Sequence, residues 1–221
     1  MKNWAIIFDV DGVLLELTHA EEELFFAPFA RRIDATLLSR DWNSYAIRND
    51  EDIVREIVAR YGLPASECAV ITAEYLALLE KELMGPLKSQ QVAHAATLLG
   101  AFSEVANLGI ATANFREAAH LRLQQAQMWE PVSQLAYGAE GGGHKSAILA
   151  RAITASRVPA SRVIFIGDNV NDVRAGFENA VHFIGFSSDA ARRKTLAAAG
   201  AARISAHHGE TQMMIRQILG A

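Results

Sequence analysis

The apolar positions along the chain follow two different rules. Short continuous runs occur at "WAIIFD" (4–9), "GIATA" (109–113), "QLAYGA" (134–139), "RVIFIGD" (162–168) and "VHFIGF" (181–186). Bounded by acidic and glycine residues, such runs predict buried parallel strands. Helical spacing separates them: near 88–107, from Phe115 to Gln127, from Ser146 onward, and just after "GDNVND" (167–172), with further helix and strand signals to the end. Strands that alternate with helices imply right-handed crossovers and a sheet covered on both sides.

Residues 19–84 obey the helical rule alone. In "NDEDIVREIVARYGLP" (49–64), Ile53, Val54, Ile57, Val58 and Tyr61 share a face, Asn49 or Asp50 caps the start, and Gly62 with Pro64 stops the helix. "SECAVITAEYLALLEKELMGP" (66–86) repeats the pattern with Ser66 as N-cap and Ile71, Tyr75, Leu79 and Leu83 in register. In "EEELFF" the glutamates favour the start of a helix and the aromatics face inward. The fold class expected is therefore α/β, a Rossmann-like parallel sheet with helices on both faces, plus an inserted all-helical subdomain. The core takes residues 1–14 and 87–221, the insert 15–86, a size of about 70 residues that suits a small subdomain.

Composition narrows the function classes. The chain has 221 residues, 51% hydrophobic and 21% charged, with a formal net charge of -4. Its basic residues are scattered, which argues against nucleic acid as a partner. Cys68 is the only cysteine, so an intrachain disulfide is excluded and a reducing compartment is expected. With no signal-type N-terminus and no apolar stretch near the roughly 20 residues of a membrane span, a cytoplasmic protein with no membrane partner is expected.

In an open parallel sheet, ligands bind beyond the carboxyl ends of the strands. Asp9, Asp11 and Gly12 follow the first strand in "DVDGV", and Asp168 and Asp172 follow a later one. Carboxylates meeting at one point repel, and the usual remedy beside phosphate is Mg²⁺. Thr112, Ala113 and Asn114 follow "GIATA" at a helix start, a ready anion site, and Lys145 adds a positive charge at another. Such a set describes phosphoryl transfer, with a carboxylate as a candidate nucleophile.

"FDVDGV", Thr112, Lys145 and "GDNVND", in that order, resemble the four motifs of the haloacid dehalogenase superfamily, and a helical insert after the first motif resembles its type 1 cap. The resemblance implies that Asp9 is the nucleophile and that Asp11 is the general acid and base. It further implies that Asp9, the backbone carbonyl of Asp11 and Asp168 hold Mg²⁺ with Asp172 as ligand or support, and that Thr112, Ala113, Asn114 and Lys145 bind phosphate. An acid at position 11 favours phosphate esters over carbon–halogen bonds. The family's third motif usually has Pro after its Lys, where this chain has Ser146.

The expected function is a Mg²⁺-dependent phosphatase of a small phosphorylated metabolite, of the phosphoglycolate phosphatase type, acting as monomer or homodimer. The alternatives are a phosphosugar mutase of the β-phosphoglucomutase type and, from another class, a phospho-accepting receiver domain, which lacks a large helical insert. A nucleotide P-loop at "EGGGHKS" (140–146) is disfavoured because His144 stands where a glycine should precede the lysine. Its glycines are expected to be a flexible approach to Lys145, so that Gly142→Ala should matter little. Arg48, between two insert helices, is a candidate for reading a substrate's carboxylate or second phosphate; the alternative is a pair with Asp50 or Asp52. His144, next to Lys145, is expected in a solvated loop, the alternative being that it lines the site, and the pair His207–His208 is expected at the surface.

Overall fold

The computed structural model describes residues 2–220. β1 (Ala5–Phe8) leads through a tight loop into α1 (His19–Phe26), α2 (Asp50–Arg60) and α3 (Glu67–Met84), with short 3-10 turns between α1 and α2. The chain then alternates: α4 (Ala95–Phe102), β2 (Asn107–Ala111), α5 (Arg116–Gln125), β3 (Ala136–Tyr137), α6 (Lys145–Ser156) and β4 (Val163–Gly167). It ends with α7 (Val170–Glu178), β5 (His182–Phe186), α8 (Ala190–Ala198), β6 (Ile204–Ser205) and α9 (His208–Leu219). All strand pairs are parallel, in the order β3-β2-β1-β4-β5-β6.

Side chains alternate across β1. Ile6 and Phe8 join one apolar cluster with Leu99, Leu123 and Ile215, whereas Ala5 and Ile7 join another with Ile148, Leu149 and Phe165. Both faces of the sheet are thus buried under helices, which is why its strands read as continuous apolar runs. The helical subdomain has its own core of Phe25, Phe26, Phe29, Ile53, Ile57, Ile71 and Leu79, and Phe115, Ala118 and Ala139 pack onto it from the α/β part. Among the described residues no helix is long and apolar enough to cross a membrane.

Three local expectations fail for physical reasons. Residues 88–94 are not helical, because that stretch runs beside the loop after β1: Glu16 N donates to Gln90 O and Val92 N to Leu14 O. Ser66 makes no side-chain cap; its backbone is already helical and the preceding turn closes with Glu67 N donating to Pro64 O. His208 is buried, stacked on Phe186 at 4.3 Å between ring centroids with Nε2 2.8 Å from Val13 O, so only His207 of that pair faces solvent.

Candidate active site

The strand order reverses its direction of growth at β1, so the crevice for a ligand opens where β1, β2 and β4 end side by side. Phe8 pairs with Ile110 on one side and Ile166 on the other, which sets Asp9 level with Ala111 and Gly167. A cleft of about 700 Å³ lies above this point, lined by Asp9, Asp11, Thr112, Lys145, Asp168 and Asp172 among others. Tight backbone turns bring these side chains there. Gly12 sits at φ +73°, and a Cβ on it would lie 2.7 Å from the Asp168 carboxyl carbon, so the loop after β1 runs directly against that carboxylate. Asp172 caps α7 in a reciprocal box with Asn169, its Oδ2 accepting from the backbone of Asp168 and Asn169 at 3.2 and 3.0 Å.

Carboxylate oxygens of Asp9, Asp168 and Asp172 lie within 4.8 Å of one another, all buried. Lys145 Nζ stands 2.7 Å from Asp9 Oδ1 and 3.0 Å from Asp172 Oδ1. Burial alone would lower this ammonium's pKa, but Asp172 and Asp9 outweigh it and raise it, keeping the charge. Two cations, buried Lys145 and half-exposed Arg192, do not balance three acids. Burial first, then Asp172, pushes Asp168 up to about 7 despite Arg192 Nη1 at 2.6 Å, and burial, aided by Asp172 and Asp168, raises Asp9 well above its ordinary 3.8 against the pull of Lys145. A site of hard oxygen donors with surplus negative charge fits a divalent cation.

Thr112 is buried at the end of β2, and its Oγ1 accepts from Asn114 N at 3.2 Å. Thr112 and Ala113 line the cleft, whereas Asn114 turns aside and its Nδ2 donates to Asp11 Oδ2 at 3.0 Å. The backbone N–H of Asn114 is therefore committed to Thr112, and its amide serves Asp11. Asp11 does not join the carboxylate cluster through its side chain. Its Oδ1 accepts instead from Arg122 Nη1 at 2.7 Å.

Arg122, Glu21, Asp50 and the glycine loop are polar partners that motif spacing does not reveal. Arg122 Nε donates to Glu21 Oε1 at 2.8 Å, so the glutamate that favours the start of α1, where it accepts from Thr18 N, is also a buried ion-pair partner. Asp50 N donates to Ala113 O at 2.9 Å while Asp50 Oδ2 accepts from Phe115 N at 2.7 Å, which clips α2 to the loop after β2. Burial lifts the Asp50 carboxyl to about 8. The triglycine segment meets the same helix end: Gly141 N donates to Glu51 Oε2 at 2.6 Å, Gly143 N to Asp52 Oδ2 at 2.7 Å, and Asn49 Nδ2 to Gly143 O at 2.8 Å. These glycines hold φ values of +87°, +68° and +93° and anchor the loop to α2, so they are not a slack approach to Lys145. With two amides already bound to carboxylates, the loop is also a poor phosphate cradle.

Arg48 lines both the cleft and a smaller cavity of about 90 Å³ walled by Phe25, Trp42, Ile53 and Tyr75. Among the described residues it pairs with neither Asp50 nor Asp52, whose partners are Phe115, Asn49, Gly143 and Arg55. His144 is exposed.

A family model described as haloacid dehalogenase-like hydrolase matches residues 5–178. A search of curated proteins found no match. Among solved structures, a haloacid dehalogenase-like family protein from Streptococcus pneumoniae aligns over 96% of this chain and 98% of its own, at 19% identity and TM-score 0.68. A HAD family hydrolase from Deinococcus radiodurans, solved with bound phosphate and sodium, aligns over 98% and 96% at 20% identity and TM-score 0.62. CbbY from Rhodobacter sphaeroides, in complex with phosphate, aligns over 94% and 95% at 20% identity and TM-score 0.65.

Proposed function

Because this chain belongs to the haloacid dehalogenase-like hydrolases, we propose that it is a Mg²⁺-dependent phosphatase of a small phosphorylated metabolite, working through an aspartyl phosphate on Asp9. The observation that carries this reading is the convergence of Asp9, Lys145, Asp168, Asp172 and Thr112 on one cleft at the strand ends. The Deinococcus and Rhodobacter structures were each solved with phosphate bound, which supports a phosphate-type ligand for this fold.

Asp9 attacks phosphorus with a carboxylate oxygen as the bond to the substrate's leaving oxygen breaks. Thr112 and Lys145 hold the transferring phosphoryl oxygens, and Ala113 lines the same wall. Asp11 gives its proton to the leaving oxygen and later takes one from the water that attacks the phosphoenzyme, which releases inorganic phosphate and restores Asp9. Asp9, Asp168 and the backbone carbonyl of Asp11, with Asp172 in support, would hold Mg²⁺, which supplies positive charge against the phosphate and the carboxylates. Residues 15–86 act as a cap on a core of 1–14 and 87–221, with Arg48 facing the substrate's distal group.

The test is hydrolysis of para-nitrophenyl phosphate with Mg²⁺, with EDTA and with Asp9→Asn. Chelation and Asp9→Asn should each abolish turnover; wild-type-like, metal-independent release by Asp9→Asn would overturn the mechanism. Rapid phosphate release from simple esters would separate this enzyme from a mutase, which holds its phosphoryl group until a sugar phosphate arrives.

A further inference from the structure

Arg122 is the most buried cation that the mechanism above does not use. Its side chain is 2% exposed, and it projects from α5 into the joint between the α/β part and the helical subdomain. Nε donates to Glu21 Oε1 at 2.8 Å, Nη1 to Asp11 Oδ1 at 2.7 Å and Nη2 to the Glu16 carbonyl at 3.2 Å. Nη1 also lies 3.4 Å from Asn114 Oδ1. Each partner is itself fixed. The other oxygen of Glu21 accepts from Thr18 N at 2.9 Å and Thr18 Oγ1 at 2.7 Å, and Asn114 is held by Thr112 while donating to the second oxygen of Asp11.

Both oxygens of Asp11 are thus gripped by donors from α5 and from the loop after β2, and the carboxyl has one orientation at the edge of the cleft. A buried arginine paired with buried Glu21 and quarter-exposed Asp11 is a poor device for stability, since apolar residues of the same volume usually serve as well or better. What a planar guanidinium fork supplies that an apolar group does not is direction. We propose that Arg122 is a positioning residue for proton transfer by Asp11, and that Glu21, reaching it from α1, ties that positioning to the docking of the helical subdomain. This inference rests on the reading of Asp11 as the proton-transferring group.

A displaced proton donor has a signature that a weakened fold lacks. Protonation matters most when the leaving oxygen is basic, so losing it steepens the dependence of kcat/KM on leaving-group basicity. The experiment measures kcat/KM across substituted phenyl phosphates, from para-nitrophenyl to para-methoxyphenyl, for wild type, Asp11→Asn, Arg122→Lys, Glu21→Ala and the charge-balanced Arg122→Met/Glu21→Gln. The double variant guards against failure to fold, which thermal melting checks, because it removes one charge of each sign.

In Asp11→Asn, para-methoxyphenyl phosphate should fall about a hundredfold more than the nitro ester. In the double variant the differential should be about tenfold, with Glu21→Ala and Arg122→Lys between it and wild type. If Asp11→Asn leaves the slope unchanged, the reading of Asp11 is wrong. If Asp11→Asn steepens the slope but the Arg122 variants lower all esters equally, or none, Arg122 is structural only and the proposal fails. An unchanged slope in Glu21→Ala would remove the link to the helical subdomain.

Discussion

Asp50→Asn tests the joint between α2 and the loop after β2 through the pH dependence of stability. The Asp50 carboxyl is 5% exposed, and its one fixed partner through the side chain is the Phe115 N–H. Burial, with a smaller push from Asp11, lifts its pKa from 3.8 to about 8 against the pull of the Phe115 amide and Arg122. The folded state therefore holds this proton more tightly than the unfolded state. The stability it contributes is fully present below pH 3.8, is lost progressively as pH rises, and changes no further above about pH 8. Within that window one group contributes a slope of about 1.4 kcal/mol per pH unit, so wild type should lose about 3 kcal/mol from Asp50 between pH 5 and pH 7. Asparagine keeps an oxygen for the Phe115 N–H and has no proton to lose. Asp9 and Asp168 also carry raised values, but they do so in both proteins and cancel in the difference. Urea unfolding of both proteins at pH 5, 6 and 7 in EDTA should show the stability of the variant, relative to wild type, rising by about 2–3 kcal/mol across the series. A difference that stays flat or shrinks would mean that folded Asp50 is already ionised at pH 5, and that the joint is held by a charge.

Lys145→Met should abolish phosphate turnover and, in EDTA, cost about 3–5 kcal/mol in urea unfolding, because it leaves buried Asp9 and Asp172 without their cation. A loss below about 1 kcal/mol would mean that the ion pairs to Lys145 add nothing to the stability of the folded state. Gly142→Ala should cost about 1–2 kcal/mol, since φ is +68° and a Cβ would sit 2.8 Å from the yielding end of Arg55; thermal melting reads it. Gly12→Ala should cut turnover about a hundredfold by driving the Asp168 carboxylate out of place and, at φ +73°, should cost at least as much stability in thermal melting as Gly142→Ala.

The sheet and the residues that follow its strands were legible because their signals are local. An apolar run that ends in "DVDG" or "GDNVND" announces a buried strand and the polar residues beyond it within a dozen positions. The contacts that join the helical subdomain to the site are not local. Arg122 lies 101 residues from Glu21 and 111 from Asp11, so no spacing rule links them. One signal was present all the same: Ala118, Ala119, Arg122 and Leu123 form the buried stripe of α5, and an arginine on such a stripe must find buried acceptors. The triglycine loop misled for the opposite reason. Its composition suggests slackness, but three positive φ values and two carboxylate partners make it a fixed contact, visible only once α2 is placed against it.

Those contacts also settle an electrostatic problem that the sequence poses. The helical subdomain turns Glu21, Asp50, Glu51 and Asp52 toward the α/β part, an acidic edge beside a cleft proposed for a phosphate dianion. Left bare, that edge would repel the substrate. Arg122 neutralises Glu21, burial keeps the proton on Asp50, and backbone N–H groups of Gly141 and Gly143 absorb Glu51 and Asp52. For Glu21 and Asp50 the neutralising groups come from the α/β part or from burial against it, whereas Glu51 and Asp52 also pair with Arg55 on α2 itself. Docking the two parts therefore matters most for Glu21 and Asp50, which would lose Arg122 and the Phe115 N–H if the parts separated.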